Sequence, residues 1–380
     1  MNNNKVGILM ANRANWARSK TVIEHLALNT DIELHAFCCS SFLLQKFGMP
    51  VKDFEQEHSE VITHRVYNNV EGETLLTQTV STGLLVSQLA PLIDTVKIKC
   101  LIVIADRYEV IAGAIAARYQ NVPVIHIQGG EVSGNIDDLV RNSVSSLSEL
   151  HFPCTQMAYE RLQSSYFVRG FIDNYGCPAM DLVYRREKKD INRILNSNGF
   201  VGNLKKRDST YYLVVFHPET ENYDEVEQIA QKFFNKIERL SKDTHIVVLW
   251  PNIDAGSDSV AKEVRKMRER NAELNISFYK NFSAEDYICV LENAEILIGN
   301  SSSFIREASV IGKKSILVGD RQSNRDIGKN VVAKLSVEEF SEFDLSSVIN
   351  KTVTPSDTYG SGDAGKKISD KICSFIGAGN

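Results

Sequence analysis

Residues 126–138 read HIQGGEVSGNIDD and follow the apolar run Val122-Pro123-Val124-Ile125. Thirteen positions hold one histidine, one glutamine, three glycines and the three acids Glu131, Asp137 and Asp138. Carboxylates and imidazole take and return protons near neutral pH, so His126 and these acids suit general acid–base work. Gly129 and Gly130 lack Cβ and let the backbone approach a bound molecule closely. Similar polar groups close other apolar runs: Asn12-Arg13, Asp106-Arg107, His217-Pro218-Glu219, Pro251-Asn252, Asn300-Ser301-Ser302-Ser303 and Asp320-Arg321. Each has a plainer account when taken singly. Asp137 and Asp138 suit the positive end of a helix, and Asp137 with Arg141 suits an i,i+4 surface pair. His126 suits a hydrogen-bonded core histidine, and the serine run suits an N-cap. Seven polar strand ends, laid out alike in two halves, exceed what capping alone requires.

Short apolar runs alternate with helical patterns, the mark of parallel α/β units. The strands expected in the first half are 6–11, 32–39, 100–105, 122–127 and 149–154. Those expected in the second half are 211–218, 245–252, 276–282, 294–303 and 315–320. Residues 108–119 and 223–240 read as helices. Ile136, Val140, Val144 and Leu147 form a helical stripe after the acidic stretch. The pattern predicts an α/β chain with two Rossmann-like domains and a central cleft, ligands lying beyond the carboxyl ends of the strands. The domains are expected at 1–183 and 184–362, with 363–380 as a closing helix. In this layout the second half holds an anion on the serine run with Arg321, and Glu307 accepts from ribose hydroxyls. The acids of the first half work on a sugar.

Totals narrow the class. The chain has 380 residues, 43% of them hydrophobic, and a net charge of −5, which argues against nucleic-acid or anionic-membrane partners. The seven cysteines show no paired C-x-x-C spacing, so neither a metal site nor a disulfide framework is expected. No run reaches the roughly 18 apolar residues of a membrane span. The N-terminus lacks the pattern of a secretory signal, so a reducing, cytoplasmic setting is expected. There is no G-x-x-x-x-G-K-S/T and no G-x-G-x-x-G after the first strand, which weakens simple NTPase and dehydrogenase readings.

The motifs resemble the hydrolysing UDP-N-acetylglucosamine 2-epimerases, enzymes of sialic acid-type synthesis. The match runs through NRA at 12–14, ADR at 105–107, HIQGGEVSGNIDD at 126–138, GCP at 176–178 and HPET at 217–220. It continues through PNIDAGSD at 251–258, GNSSSFIREA at 299–308, GDRQSNRDIGKNV at 319–331 and YGSGDA at 359–364. The resemblance implies a GT-B type fold whose last helix crosses back to the first domain. It implies a UDP-sugar substrate, no cofactor or metal, and a homodimer or tetramer. It implies loss of UDP from C1 as a base takes the C2 proton, then water addition to the resulting 2-acetamidoglucal to release N-acetylmannosamine. It associates Asp106, Gln128, Glu131 and Asp137 with acid–base work, together with His217. It gives nucleotide or substrate binding to Arg13, Arg107, His126, Asp138, Asn252, Ser301, Ser302, Glu307 and Arg321.

The sequence departs from the family pattern at telling places. Gln128 stands where a carboxylate is expected, and an amide takes no proton at neutral pH. Asn15 stands where the family usually has Asp, Phe304 where it has Gly, and Glu219 where it has a smaller neutral side chain. The nucleotide half keeps the pattern better than the sugar half. Altered sugar substituents at C4 or C6, or a different nucleotide, would fit that asymmetry. The competing readings are a GT-B glycosyltransferase and a nucleotide-sugar binder without catalysis.

Overall fold

A computed structural model describes residues 4–72, 74–133, 136–197, 210–219, 225–251, 256–270 and 274–377. These divide into two compact units: residues within 1–132, 136–184 and 359–380, and residues within 133–135 and 185–358.

In the first unit the strands are β1 (Asn4–Met10), β2 (Ile32–Cys39), β3 (Ile62–Val66), β4 (Cys100–Ile104), β5 (Val124–Ile127), β6 (Leu150–Phe152) and β7 (Phe171–Ile172). They pair in parallel in the order β3-β2-β1-β4-β5-β6-β7. In the second unit they are β8 (Tyr211–Val215), β9 (His245–Leu249), β10 (Ile276–Tyr279), β11 (Ile296–Gly299), β12 (Ser315–Val318) and β13 (Val331–Leu335). Their order is β10-β9-β8-β11-β12-β13, again parallel. Both units are thus wound alike. Strand order reverses between β1 and β4 in one and between β8 and β11 in the other, and ligands of such sheets bind at these switch points.

Period-two alternation builds the cores, because successive side chains of a strand face opposite sides of the sheet. Ile8, Cys38, Ile102 and Ile125 lie in one buried layer of the first unit. Their neighbours Leu9, Phe37, Leu101 and Val124 lie in the other. Burial on both faces explains why these strands read as continuous apolar runs.

The helix Ala364–Ile376 packs on the helices Arg13–Ala27 and Pro178–Tyr184 of the first unit. Asp181 fastens it, accepting from the N–H groups of Ala364 at 3.1 Å and Gly365 at 2.7 Å and from the Thr21 hydroxyl at 2.9 Å. Burial raises the Asp181 pKa, and these three donors oppose that rise.

Two expectations change. In the helix Ile136–Leu147, Ile136 is exposed, and the buried positions are Arg141, Val144 and Ser145. Val140, Val144 and Leu147 still pack on the core, so the stripe loses only Ile136, and the charged Arg141 is buried alongside it. The serine run opens only a three-residue 3-10 turn, Ser302–Phe304, and the next helix starts at Glu307. The Phe304 carbonyl accepts from Ser315 Oγ and Asn330 Nδ2, both at 2.8 Å, which diverts it from a continuing helical ladder.

Candidate functional site

At the carboxyl ends of β4 and β5 the backbone turns sharply. Ala105 has φ +69° and Gln128 φ +70°, left-handed values that side-chain-bearing residues adopt at a cost of roughly 1–3 kcal/mol. Hydrogen bonds hold both: Ala105 N donates to Ile127 O, and Gln128 N to Phe152 O, each at 2.9 Å. His126 braces the same turn. Its Nε2 faces the Ala105 carbonyl at 2.8 Å and its Nδ1 faces Ser145 Oγ at 3.0 Å. A carbonyl only accepts, so Nε2 carries the proton and Nδ1 accepts from the serine. Burial pushes the His126 pKa down to about 3, against the hydrogen bond to Ala105. His126 is a neutral strut under Asp106, with both ring nitrogens spent on protein atoms.

The acids meet on one cation. Arg141 is fully buried, and its guanidinium donates to Asp106 Oδ2, to Asp138 Oδ1 and, at 2.6 Å, to the Glu131 carbonyl. Burial opposes its charge, yet Asp106, Glu131 and Asp138 hold its pKa above the ordinary value. A buried charge is tolerated only when paired in this way. Asp137 lies half-buried beside Asp138 in the first turn of the same helix. The sequence reading gave Arg141 only a surface pairing. Its contact with Asp106 spans 35 positions and has no local signature.

Gln128 is buried, and its Nε2 donates to Cys177 Sγ at 3.3 Å. Its Oε1 has no hydrogen-bond partner among the described residues. Arg107 grips the fully buried Glu109 through Nε at 3.1 Å and Nη2 at 3.3 Å, so its fork is engaged within the protein. Arg13 begins the helix after β1 and lies 3.5 Å from Asp53. Asn15 accepts from Ala11 N at 3.3 Å and donates to Ile104 O at 3.4 Å. That bridge joins the ends of β1 and β4 and needs a donor, which explains an amide where the family pattern has a carboxylate.

In the second unit the switch-point strands are tied by neutral groups. His217 N donates to Asn300 Oδ1 at 2.8 Å, Asn300 Nδ2 donates to His217 O at 2.9 Å, and Gln322 Nε2 donates to Asn300 O at 3.0 Å. These bonds link the ends of β8, β11 and β12. Ser301 Oγ and Ser303 Oγ are 2.9 Å apart, and Tyr287 OH is 2.5 Å from Ser303 Oγ. Ser302 beside them is half-buried. Glu307 Oε2 is a buried acceptor with no hydrogen-bond partner among the described residues. Arg321 N donates to Glu219 Oε1 at 3.2 Å. Asn252 lies outside the described residues. The structure thus gathers Asp106, Glu131 and Asp138 on Arg141 in one unit, and joins His217, Asn300 and the Arg321 loop in the other.

A family model described as UDP-N-acetylglucosamine 2-epimerase matches residues 26–373. The chain is 28% identical over 320 residues to the UDP-N-acetylglucosamine 2-epimerase of Neisseria meningitidis serogroup B, which covers 84% of this chain and 81% of that protein. It is 25% identical over 336 residues to the GDP/UDP-N,N'-diacetylbacillosamine 2-epimerase (hydrolyzing) of Campylobacter jejuni, covering 87% and 84%. Its fold matches the crystal structure of UDP-GlcNAc 2-epimerase from Neisseria meningitidis bound to UDP-GlcNAc. That match has a TM-score of 0.76 at 17% identity, over 97% of this chain and 100% of the other. The chain belongs to the UDP-N-acetylglucosamine 2-epimerase family.

Proposed function

We propose that the protein is a hydrolysing 2-epimerase. It converts UDP-N-acetylglucosamine, or a related nucleotide-linked N-acetylated sugar, to UDP and the free 2-epimer. The observation that carries this reading is the gathering of carboxylates around buried Arg141 at the strand ends of a family member. The Campylobacter relative, described as hydrolyzing, supports the hydrolytic branch.

In the first step a carboxylate takes the C2 proton, the C1–O bond to UDP breaks, and a C1–C2 double bond forms. Water then gives its hydroxyl to C1, and a proton returns to C2 from the other face. Gln128 cannot be the base, because an amide takes no proton. Asp106 and Asp138 each commit a carboxylate oxygen to Arg141. We assign the C2 proton to Asp137, half-buried in the same turn, with Asp106 and Glu131 fixing the local charge. The leaving diphosphate needs its growing charge met by donors. Arg13, Ser301, Ser302 and Arg321 supply them, His217 assists departure, Asn252 contributes to nucleotide binding, and Glu307 Oε2 accepts from the ribose.

The homodimer belongs to the same reading. No charged residue occurs from Leu75 to Ile93, and on that helix Leu76 is 72% exposed, with Val80 and Leu84 exposed one and two turns on. An uncharged apolar stripe of this kind suits the same face of a second copy. A cytoplasmic setting suits the seven cysteines, all of them free thiols.

The test follows UDP release and product identity with and without added sugar acceptors. A 2-epimerase of this kind releases UDP and the free 2-epimer together, without an acceptor. UDP release only with an acceptor would make the protein a glycosyltransferase. Accumulation of an epimerised nucleotide sugar without UDP release would place it in the non-hydrolysing branch. Nucleotide-sugar binding without turnover would make it a binder.

A further inference from the structure

We propose that Glu219 is a positioning residue of the nucleotide site. Its carboxylate fixes the backbone from which the Arg321 side chain reaches the diphosphate. This rests on the reading above that Arg321 contacts phosphate.

Glu219 follows the end of β8 by four residues, and its Oε1 accepts two consecutive backbone N–H groups, Asp320 at 2.8 Å and Arg321 at 3.2 Å. Those residues follow β12, and β11 lies between β8 and β12 in the sheet. The tether therefore crosses two strand spacings, about 10 Å. The turn is shaped to admit it. Gly319 has φ +88°, and a Cβ there would lie 2.3 Å from Glu219 Oε1. Any larger residue at 319 would be strained and would displace the carboxylate.

Two successive N–H groups converging on one oxygen form a small anion nest. Left open, that nest would compete for the phosphate oxygens themselves. With Glu219 seated in it, the loop presents the Arg321 side chain instead, and the backbone donors are spent. The Asn300–Gln322 bond ties β11 to the same loop. Glu219 thus braces this loop at the residues adjoining and including Arg321. An amide oxygen can accept the same two bonds, so the role needs an acceptor at this place and not a negative charge.

The experiment is a double-mutant cycle on UDP binding by calorimetry, with unfolding followed in parallel. Expected are a loss of about tenfold in UDP affinity for E219A and retention within about threefold for E219Q, since the amide keeps both acceptor bonds. R321A is expected to lose about tenfold or more, and E219A/R321A to bind no worse than about twofold below R321A. E219A binding UDP like the wild type would overturn the inference. So would E219Q falling as far as E219A, or E219A adding its full loss on top of R321A. Should E219A fail to fold, E219S and E219Q carry the same comparison, with retention by Gln and loss by Ser expected, and equal behaviour of the two contradicting the proposal. A wild type that binds UDP no better than R321A would instead contradict the assignment of Arg321, and E219A would then be without its premise.

Discussion

The two units share one winding and differ in what they place at its reversal. The first unit buries charge there: Arg141 with Asp106 and Asp138, over a neutral His126. The second unit ties its strand ends mostly with uncharged amides and backbone groups, through His217, Asn300 and Gln322, and places the carboxylate of Glu219 on backbone N–H groups. On the proposed reading the buried ion cluster fixes the charge around Asp137, the carboxylate assigned to proton transfer at carbon. The neutral bonds of the second unit then fix the strand ends, and the diphosphate is met by Arg13, Arg321 and the serine hydroxyls placed on them. On that reading one winding serves two chemistries through the residues at its strand ends.

The largest blow to this contrast falls on Arg141. R141L leaves the buried Asp106 and the half-buried Asp138 without their cation. It is expected to lose turnover and about 3–5 kcal/mol of stability, read by urea unfolding. A variant as stable and active as the wild type would show that the cation is not the organising group.

D137N separates chemistry from binding. It is expected to reduce kcat by about 10²–10⁴ while UDP affinity stays within about twofold. Equal losses in both would move Asp137 from the proton-transfer role to a binding role.

The buried histidine gives a pH signature of known sign. Below about pH 6.5 an unfolded chain takes up the His126 proton, whereas the folded chain holds it off until about pH 3. Stability is therefore complete above the unfolded value and falls with pH through that window. Burial lowers His151 as well, with the same sign. Urea unfolding at pH 5.5 is expected to give about 1 kcal/mol less stability than at pH 7.5 from His126 alone. H126Q is expected to flatten that difference, and an unchanged slope would remove His126 from the account.

The smallest effect is at the closing helix. D181A removes the acceptor for the Ala364 and Gly365 N–H groups and is expected to lower stability by about 1–2 kcal/mol without changing kcat. A kcat change there would mean that the helix influences the chemistry.

Much of this was legible before the structure. The run Ile32–Cys39 and the starts at Cys100, Tyr211, His245 and Ile276 are where strands begin, because buried parallel strands are apolar on both faces. β3, β7 and β13 were missed, and all three are edge strands. ITHRV and VVAKL carry polar or exposed positions, and β7 is only two residues long, so none shows a continuous apolar run. The polar strand ends were readable as a set, but their internal partners were not. Arg141 meets Asp106 across 35 positions and Glu219 meets Arg321 across 102, and no local pattern announces either. The left-handed turn at Gln128 was equally hidden, since it depends on the neighbouring β6 carbonyl and not on the residue's own preference. Asn15 shows the reverse case. A departure from the family pattern became intelligible once its donor was seen to face the Ile104 carbonyl.

The most direct test of the central claim is proton NMR of the sugar formed from UDP-N-acetylglucosamine in deuterated water. The account requires N-acetylmannosamine carrying one deuterium at C2, released in step with UDP. A product that keeps its original C2 hydrogen, or UDP released with the sugar's configuration unchanged, would contradict it.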